Sequence, residues 1–255
     1  MLLSKNISTN SNINKAEHNS YLSMAIAITI ISIWFVSISI LFRLDLANLP
    51  LVYIPVLVAF RTFIHTGIFI IIHDSIHGVV HSNKQINNFM GYMTAFLYAL
   101  LPYKTLSKNH HQHHRYPATK EDPDFYDRNP NNPCLWYASF MKDYQDGKQF
   151  WILFWGMTVI FWSLYFMQIP LINMFLFWVL PIILSSLQLF IFGIYLPHRP
   201  RLEGYRDRHR ARSNNHSVWL SFITCYHFGY HWEHHKYPYL PWYKLPQARK
   251  KANFS

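Results

Sequence analysis

Cysteine is nearly missing from this chain of 255 residues, which has only Cys134 and Cys225 and no CxxC pair. That excludes a disulfide framework and a thiolate metal site, so any metal here must be held by imidazole and carboxylate. Charge is scarce as well. Asp, Glu, Lys and Arg make up 14% of the chain, against roughly 25% in an average soluble domain. Acidic residues are the scarcer sign, 12 against 23 basic. The charges are absent from long runs rather than thinned throughout, which excludes a disordered or highly soluble chain. There is no internal repeat, coiled-coil pattern or flexible linker. The polar, Asn- and Ser-rich start lacks the pattern of a cleavable signal peptide.

What is present is hydrophobic length. Tyr21 to Phe42 carries no charge, and at 1.5 Å per residue it reaches about 33 Å, enough for a hydrocarbon core of roughly 30 Å. Leu51 to Ile72 is a second span, interrupted by Pro55, Arg61 and His65. An ionisable residue inside a span faces protein or water rather than lipid. Phe150 to Ile169 and Leu171 to Leu196 are the third and fourth, hinged at Pro170, with Pro181 placed to kink the last. Ile86 to Tyr103 is apolar but contains Asn87, Asn88 and Gly91, and reads as a short interfacial or re-entrant helix. The segment EDPDFYDRNPNNP (121–133) is loop. The chain therefore divides into a polar tail (1–20), one membrane domain (21–250) and a short C-terminal tail (251–255). With a cytoplasmic N-terminus, every Lys and Arg except Arg43 and Arg61 falls on a cytoplasmic segment, and the C-terminus is cytoplasmic too. The basic residues are sorted by membrane side instead of forming an aromatic-interleaved face, so no nucleic-acid partner is expected.

The chain has 16 histidines, and most fall in short clusters: His73 and His77; His110, His111, His113 and His114; His231, His234 and His235, with His227 four residues earlier. On a helix, residues three and four apart share a face, so each cluster aims its rings one way. A lone HxxxH is usually two surface or core histidines. Three clusters on one membrane face read as one shared site, giving an all-α integral membrane protein of about four transmembrane helices capped by three cytoplasmic histidine boxes. A zinc enzyme needs only about three protein ligands. Eight or nine imidazoles point to two metal ions, and a thiolate-free nitrogen set suits iron and O2. Asp74, Asp122, Asp124 and Glu233 are candidates to accept the outer N–H of a metal-bound imidazole. For Asp122 and Asp124, plain turn chemistry around Pro123 explains the residues equally well. His198 is a candidate for the same outer layer, and His111, off the HxxHH pattern, is either outer or solvated. His81 follows Gly78 and reads as structural, as do His18, His65, His209 and His216. Trp232, Tyr237, Tyr239, Trp242 and Tyr243 suit an interfacial belt. A metal transporter or sensor is the non-enzyme alternative. Transporters place their ligands inside the spans, whereas here the clusters lie outside them.

The segments HDSIHG (73–78), NHHQHHRYPATKEDPDF (109–125), YLPHR (195–199) and CYHFGYHWEHHKYPYLPWYKLP (225–246) resemble the membrane fatty acid desaturase and hydroxylase superfamily. Within it they resemble the bacterial and cyanobacterial beta-carotene ketolases, from about residue 20 to 250. The resemblance implies two iron ions (Fe2+), O2 as co-substrate and a carotenoid substrate. It implies oxidation of the ring methylene at carbon 4 to a ketone, yielding echinenone and canthaxanthin. It implies His73, His77, His110, His113, His114, His231, His234 and His235 as ligands, with His227 matching an additional histidine before the third box. His81 departs from the ketolase pattern and is similar to related carotenoid ring hydroxylases, which with acyl-lipid desaturases are the neighbouring activities. No fused cytochrome b5-like or flavin domain is recognisable, so a separate electron donor such as ferredoxin is expected.

Overall fold

The computed structural model of the protein describes residues 19–252 except 146 and 201; the remainder of both tails, with His18, lies outside the described residues. Every regular element among the described residues is helical. The first helix, α1 (Ser20–Leu41), starts where the Asn19 side chain accepts the N–H of Leu22. A hairpin leads to α2 (Tyr53–Ile76), then come the shorter α3 (Lys84–Ala99), α4 (Tyr103–Arg115) and α5 (Pro133–Tyr144). Next are α6 (Lys148–Phe166) and one continuous helical run, α7 (Leu171–His198). The polar end of the chain holds α8 (Val218–Cys225), α9 (His231–Lys236) and α10 (Leu245–Ala252).

Helices α1, α2, α6 and α7 are long and apolar enough to cross a bilayer, and the chain is a membrane protein. Their boundaries lie close to the expected spans, with one informative shift. Helix α2 runs to Ile76 instead of Ile72, so His73 and Asp74 belong to it. Hydropathy falls at His73, yet both residues are buried there by tertiary contacts. The apolar stretch 86–103 is a single short helix, α3, followed by the break that leads into α4 at Tyr103. Leu100 takes the left-handed conformation (φ 53°) at the end of α3, and Pro102 precedes α4. The awkward Asn87 closes the turn after α2: its Nδ2 donates to the Ser75 carbonyl (2.7 Å) and its Oδ1 accepts from Val80 N (3.3 Å).

Lipid tails are as apolar as leucine, so spans are held by close packing and hydrogen bonds. Both are visible. Gly67 of α2 lies so close to Tyr226 that a Cβ would meet its hydroxyl at 2.6 Å. Thr66 bonds to Ser185 (2.9 Å) and Gln188 (2.6 Å) of α7, while Tyr98 of α3 reaches the same Ser185 (3.0 Å). Two wide π turns interrupt α7, Phe175–Val179 and Ile191–Tyr195, each just before a proline. Pro181 and Pro197 have no N–H to give the carbonyls four residues back, Phe177 and Gly193, and a π turn absorbs that defect inside the helix. Arg61, 1% exposed, donates to the Phe177 carbonyl (3.2 Å), the Trp34 carbonyl (3.2 Å) and Ser37 Oγ (2.8 Å), tying α1, α2 and α7 together. These contacts bring the ends of α2, α4 and α7 beside α9.

Candidate metal centre

Four segments deliver histidines to one place. His73 lies in the last turn of α2, and His77 caps that helix. Helix α4 presents His110, His113 and His114, and α9 presents His231, His234 and His235. Two adjoining groups result. In the first, His73, His77, His110 and His234 offer ligand nitrogens within 4.8 Å of one another. The Nε2 of His114 joins them, 3.1 Å from His110 Nε2 and 2.8 Å from His234 Nε2. The second comprises His113, His198, His231 and His235. His114 links the two, stacked on His235 at 4.2 Å between centroids.

The donor set fits metal ions. The Nδ1–H of His113 is committed to Asp122 (2.9 Å), and that of His198 to the Arg210 carbonyl (2.9 Å), which leaves a lone pair on each Nε2. His198 Nε2 is buried without a hydrogen-bond partner. His113 Nε2 sits 3.1 Å from His235 Nε2, which is itself 3.0 Å from His231 Nε2. Facing lone pairs repel unless a cation sits between them. Nitrogens about 2.1 Å from a shared ion and at right angles would be about 3.0 Å apart, which is the spacing seen. Burial first, then mutual repulsion, holds the imidazoles of His110, His114, His231, His234 and His235 well below their ordinary range. The rings are therefore neutral, the form a metal takes. His113 is the exception: burial opposes its charge, but the Asp122 carboxylate raises it.

The expected outer layer is only partly where the sequence placed it. Asp122 both accepts from His113 and pins its own turn through Ala118 N (2.8 Å) and Asp124 N (2.9 Å), so the two readings of that residue coincide. Asp74 makes a long contact to His73 Nδ1 (3.4 Å) and accepts from Trp242 N (3.2 Å). Asp124 accepts the Tyr144 hydroxyl (2.8 Å) instead of an imidazole N–H. Glu233 meets no imidazole; it takes Ser213 Oγ and Arg249 Nη1 (3.1 Å), fastening α10 to α9.

Two histidines exchange places relative to expectation. His227 is in neither group. The chain from Tyr226 to Tyr230 is not helical: Tyr226 (φ 46°) and His227 (φ 62°) are both left-handed, and α9 begins only at His231. The His227 ring instead stacks on Tyr230 (5.6 Å) and lies near Trp242 (5.9 Å). His198, expected in the outer layer, stands inside the second group, its ring 4.6 Å from His113 and 4.9 Å from His231. No spacing signal marks it, because all its partners come from other segments. His111 points outward, its Nδ1 bonded to the Ser107 carbonyl (2.6 Å). His81 Nδ1 accepts from Asn83 N in a local turn (2.9 Å), and His65 is buried mid-span, accepting from Trp34 Nε1 (3.0 Å).

An apolar cavity of 420 Å³ ends on this centre. His73, His110, His113 and His231 form its inner wall, and Phe69, Leu153, Met157 and Ile182 lead away between α2, α6 and α7. The arrangement sets a nitrogen cage that could hold metal at the end of an oily slot between the apolar helices α2, α6 and α7.

The fatty acid desaturase family model matches residues 46–253. The "Beta-carotene ketolase" of Paracoccus sp. (strain N81106 / MBIC 01143) is 38% identical over 91% of this chain and 93% of its own length. That of Paracoccus sp. (strain PC1) is 38% identical over 82% and 84%. The "Zeaxanthin 4-ketolase" of Chlamydomonas reinhardtii is 39% identical over 74% of this chain, which spans 43% of that longer protein. No solved structure matches the chain significantly. A four-span helical bundle, a paired histidine cage and these similarities lead to one conclusion: the chain belongs to the fatty acid desaturase family, beside the beta-carotene ketolases.

Proposed function

We propose that the protein is a carotenoid oxygenase that converts the carbon-4 methylene of a beta-carotene-type ring to a ketone, with O2 as co-substrate. The observation that carries this reading is the apolar cavity whose inner wall is the histidine cage. A rod-shaped hydrocarbon fits a slot lined by Phe69, Leu153 and Met157, and its ring comes to rest against His73, His110, His113 and His231. The nitrogens of His73, His77, His110, His114 and His234 would hold one iron, and those of His113, His198, His231 and His235 the other. Bound there, the two irons supply O2 reduction and attack on the allylic C–H bond. The protein's own work is to aim carbon 4, exclude water with Phe228 and Leu106, and fix ring orientation through Asp122 and the Arg210 carbonyl.

Each round uses one O2, two electrons and two protons. One oxygen atom enters the C–H bond and the other leaves as water. The first round gives an alcohol; a second gives a geminal diol, which loses water to leave the ketone. The electrons come from a separate one-electron carrier protein, for which ferredoxin is the candidate. Both termini and the histidine face are assigned to the cytoplasm, supported by the distribution of Lys and Arg. The test is expression in a carotene-making bacterial host with pigment analysis by mass. Echinenone and canthaxanthin are expected. Hydroxylated pigments would move the protein to the ring hydroxylases, and unchanged carotene would remove the carotenoid assignment.

A further inference from the structure

A hydrocarbon slot has no use for a carboxylate, yet one lines this cavity at its reactive end. Asp124 and Tyr144 both face the cavity that His110, His113 and His231 close, and a carboxylate oxygen of Asp124 lies within 4.8 Å of a His113 nitrogen. Burying such a group unpaired is costly. Its backbone is fixed from both sides: the Asp124 N–H goes to Asp122 (2.9 Å), and its carbonyl accepts Trp136 Nε1 (2.8 Å). The side chain accepts the Tyr144 hydroxyl at 2.8 Å. The tyrosine proton is thereby spent, and the Asn109 side chain also hydrogen-bonds Tyr144, so the acceptor left to the cavity is the Asp124 carboxylate that Tyr144 holds in place.

Gln149, Ser186 and Tyr137, which also line the cavity, are committed or far from the cage, and Gln145 lines it beside Tyr144. Gln149 donates to the Leu100 carbonyl (2.8 Å). Ser186 gives its proton to the Ile183 carbonyl (2.9 Å), so the Tyr137 hydroxyl gives its own to Ser186 (2.6 Å). Ser186 also lies about 18 Å along α7 from His198, at 1.5 Å per residue. The acceptor at the cage is Asp124, held by Tyr144.

We infer that Asp124, held by Tyr144, retains the alcohol formed in the first round by accepting its hydroxyl proton in a hydrogen bond, and so commits it to the second round. The pair is a positioning device that sets ketone, rather than alcohol, as the end product. It rests on the carotenoid reading above. The unreacted methylene offers the pair nothing, whereas the alcohol O–H, on the carbon aimed at the cage, gains a carboxylate-assisted bond. Such a bond favours alcohol over hydrocarbon by about tenfold or more. The retained alcohol then meets a second O2 with two electrons from the same carrier, gains a second oxygen atom while the other leaves as water, and the diol dehydrates to the ketone.

Two measurements test this. In the carotene-making host, wild type and Tyr144→Phe are compared at matched bound iron, with Asp124→Asn as a second variant of equal size. The alcohol-to-ketone ratio is expected to rise about tenfold in Asp124→Asn, where an acceptor oxygen becomes an NH2 donor, and to rise less in Tyr144→Phe, which keeps the carboxylate but loosens it. Separately, metal-free protein in detergent is offered 4-hydroxylated and unsubstituted carotene together. Wild type should retain the alcohol preferentially, by about tenfold, and Asp124→Asn should lose that preference. An unchanged product ratio in both variants overturns the inference, as does ketone falling in step with iron without alcohol appearing. A wild-type protein that oxidises no carotenoid would sink the function reading, and this inference with it.

Discussion

Arg61 Nε lies 3.2 Å from the carbonyl oxygen of Phe177, the same carbonyl that Pro181 leaves without its helical donor. A buried cation in a span is thus satisfied by a helix defect, and the defect is satisfied by the cation. Arg61→Met should cost about 1–3 kcal/mol through unsatisfied carbonyls and Ser37. In a Pro181→Ala background, where an N–H returns to Phe177, the same change should cost about 1 kcal/mol less. Unfolding midpoints of the four proteins in detergent measure the coupling, and strict additivity would contradict the mutual dependence.

His198 and His227 make the sharpest comparison at the cage. His198→Ala removes a nitrogen from the second group and is expected to lose roughly half the bound iron and all oxidised carotenoid. His227→Ala, whose ring packs on Tyr230 outside both groups, should keep its iron. Iron per chain on purified protein decides the matter; the reverse result would mean that the turn at 226–227 is wrongly placed.

Among the acidic residues, Asp122 and Glu233 should behave differently. Asp122→Asn weakens the outer bond of His113 and should lower iron affinity by about 10–100-fold. Glu233→Gln should leave iron affinity much closer to wild type, because its partners are Ser213 and Arg249. Its cost is stability, about 1 kcal/mol, from a loosened α10. Equal iron loss in the two variants would argue against this division.

Stripping metal with a chelator should lower the unfolding midpoint, since an ion bound only by the folded cage stabilises it. The metal-free protein should then weaken as pH falls. His77 is pushed down to about 3 by burial and by His111 and His113, and His110, His114, His231, His234 and His235 are lowered too. A group whose folded pKa lies below its unfolded value of about 6.5 favours the unfolded state when protonated. Its stability is present above pH 6.5 and is lost on the way down toward pH 3. His113, raised by Asp122, opposes this with a single group against several. A midpoint that stayed flat or rose from pH 7 to pH 5 would contradict the burial of neutral rings.

The spans were legible because length without charge is a local property. The end of α2 was not, since His73 and Asp74 stay helical only through contacts made elsewhere in the fold. His227 misled for a related reason. Four residues is the right interval for one helical face, but the backbone at Tyr226 and His227 turns left-handed, which the side-chain pattern does not record. The nearest hint was Gly229, where a Cβ would meet Asn214 at 2.0 Å. His198 has no neighbouring partner at any interval, and Arg210, which orients it, contributes only a carbonyl. Tyr144 is one of 17 tyrosines, set apart only by the cavity it reaches.

The two wide turns of α7 also set an angular phase. Each takes in one residue more than a regular turn, and a regular helix rotates by about 100° per residue. Counting along α7 in steps of 3.6 therefore loses register twice before reaching His198, and the side chains on either side of each wide turn face directions that a plain helical wheel would misassign. Removing one residue from 191–195 could be absorbed by closing the wide turn, with His198 still facing the cage. Removing one from the regular stretch between Ile183 and Gln188 has no such slack, and would swing His198 away by roughly a quarter of a revolution. The π turns act as phase adjusters that let a proline-containing span end with its histidine aimed at the other three.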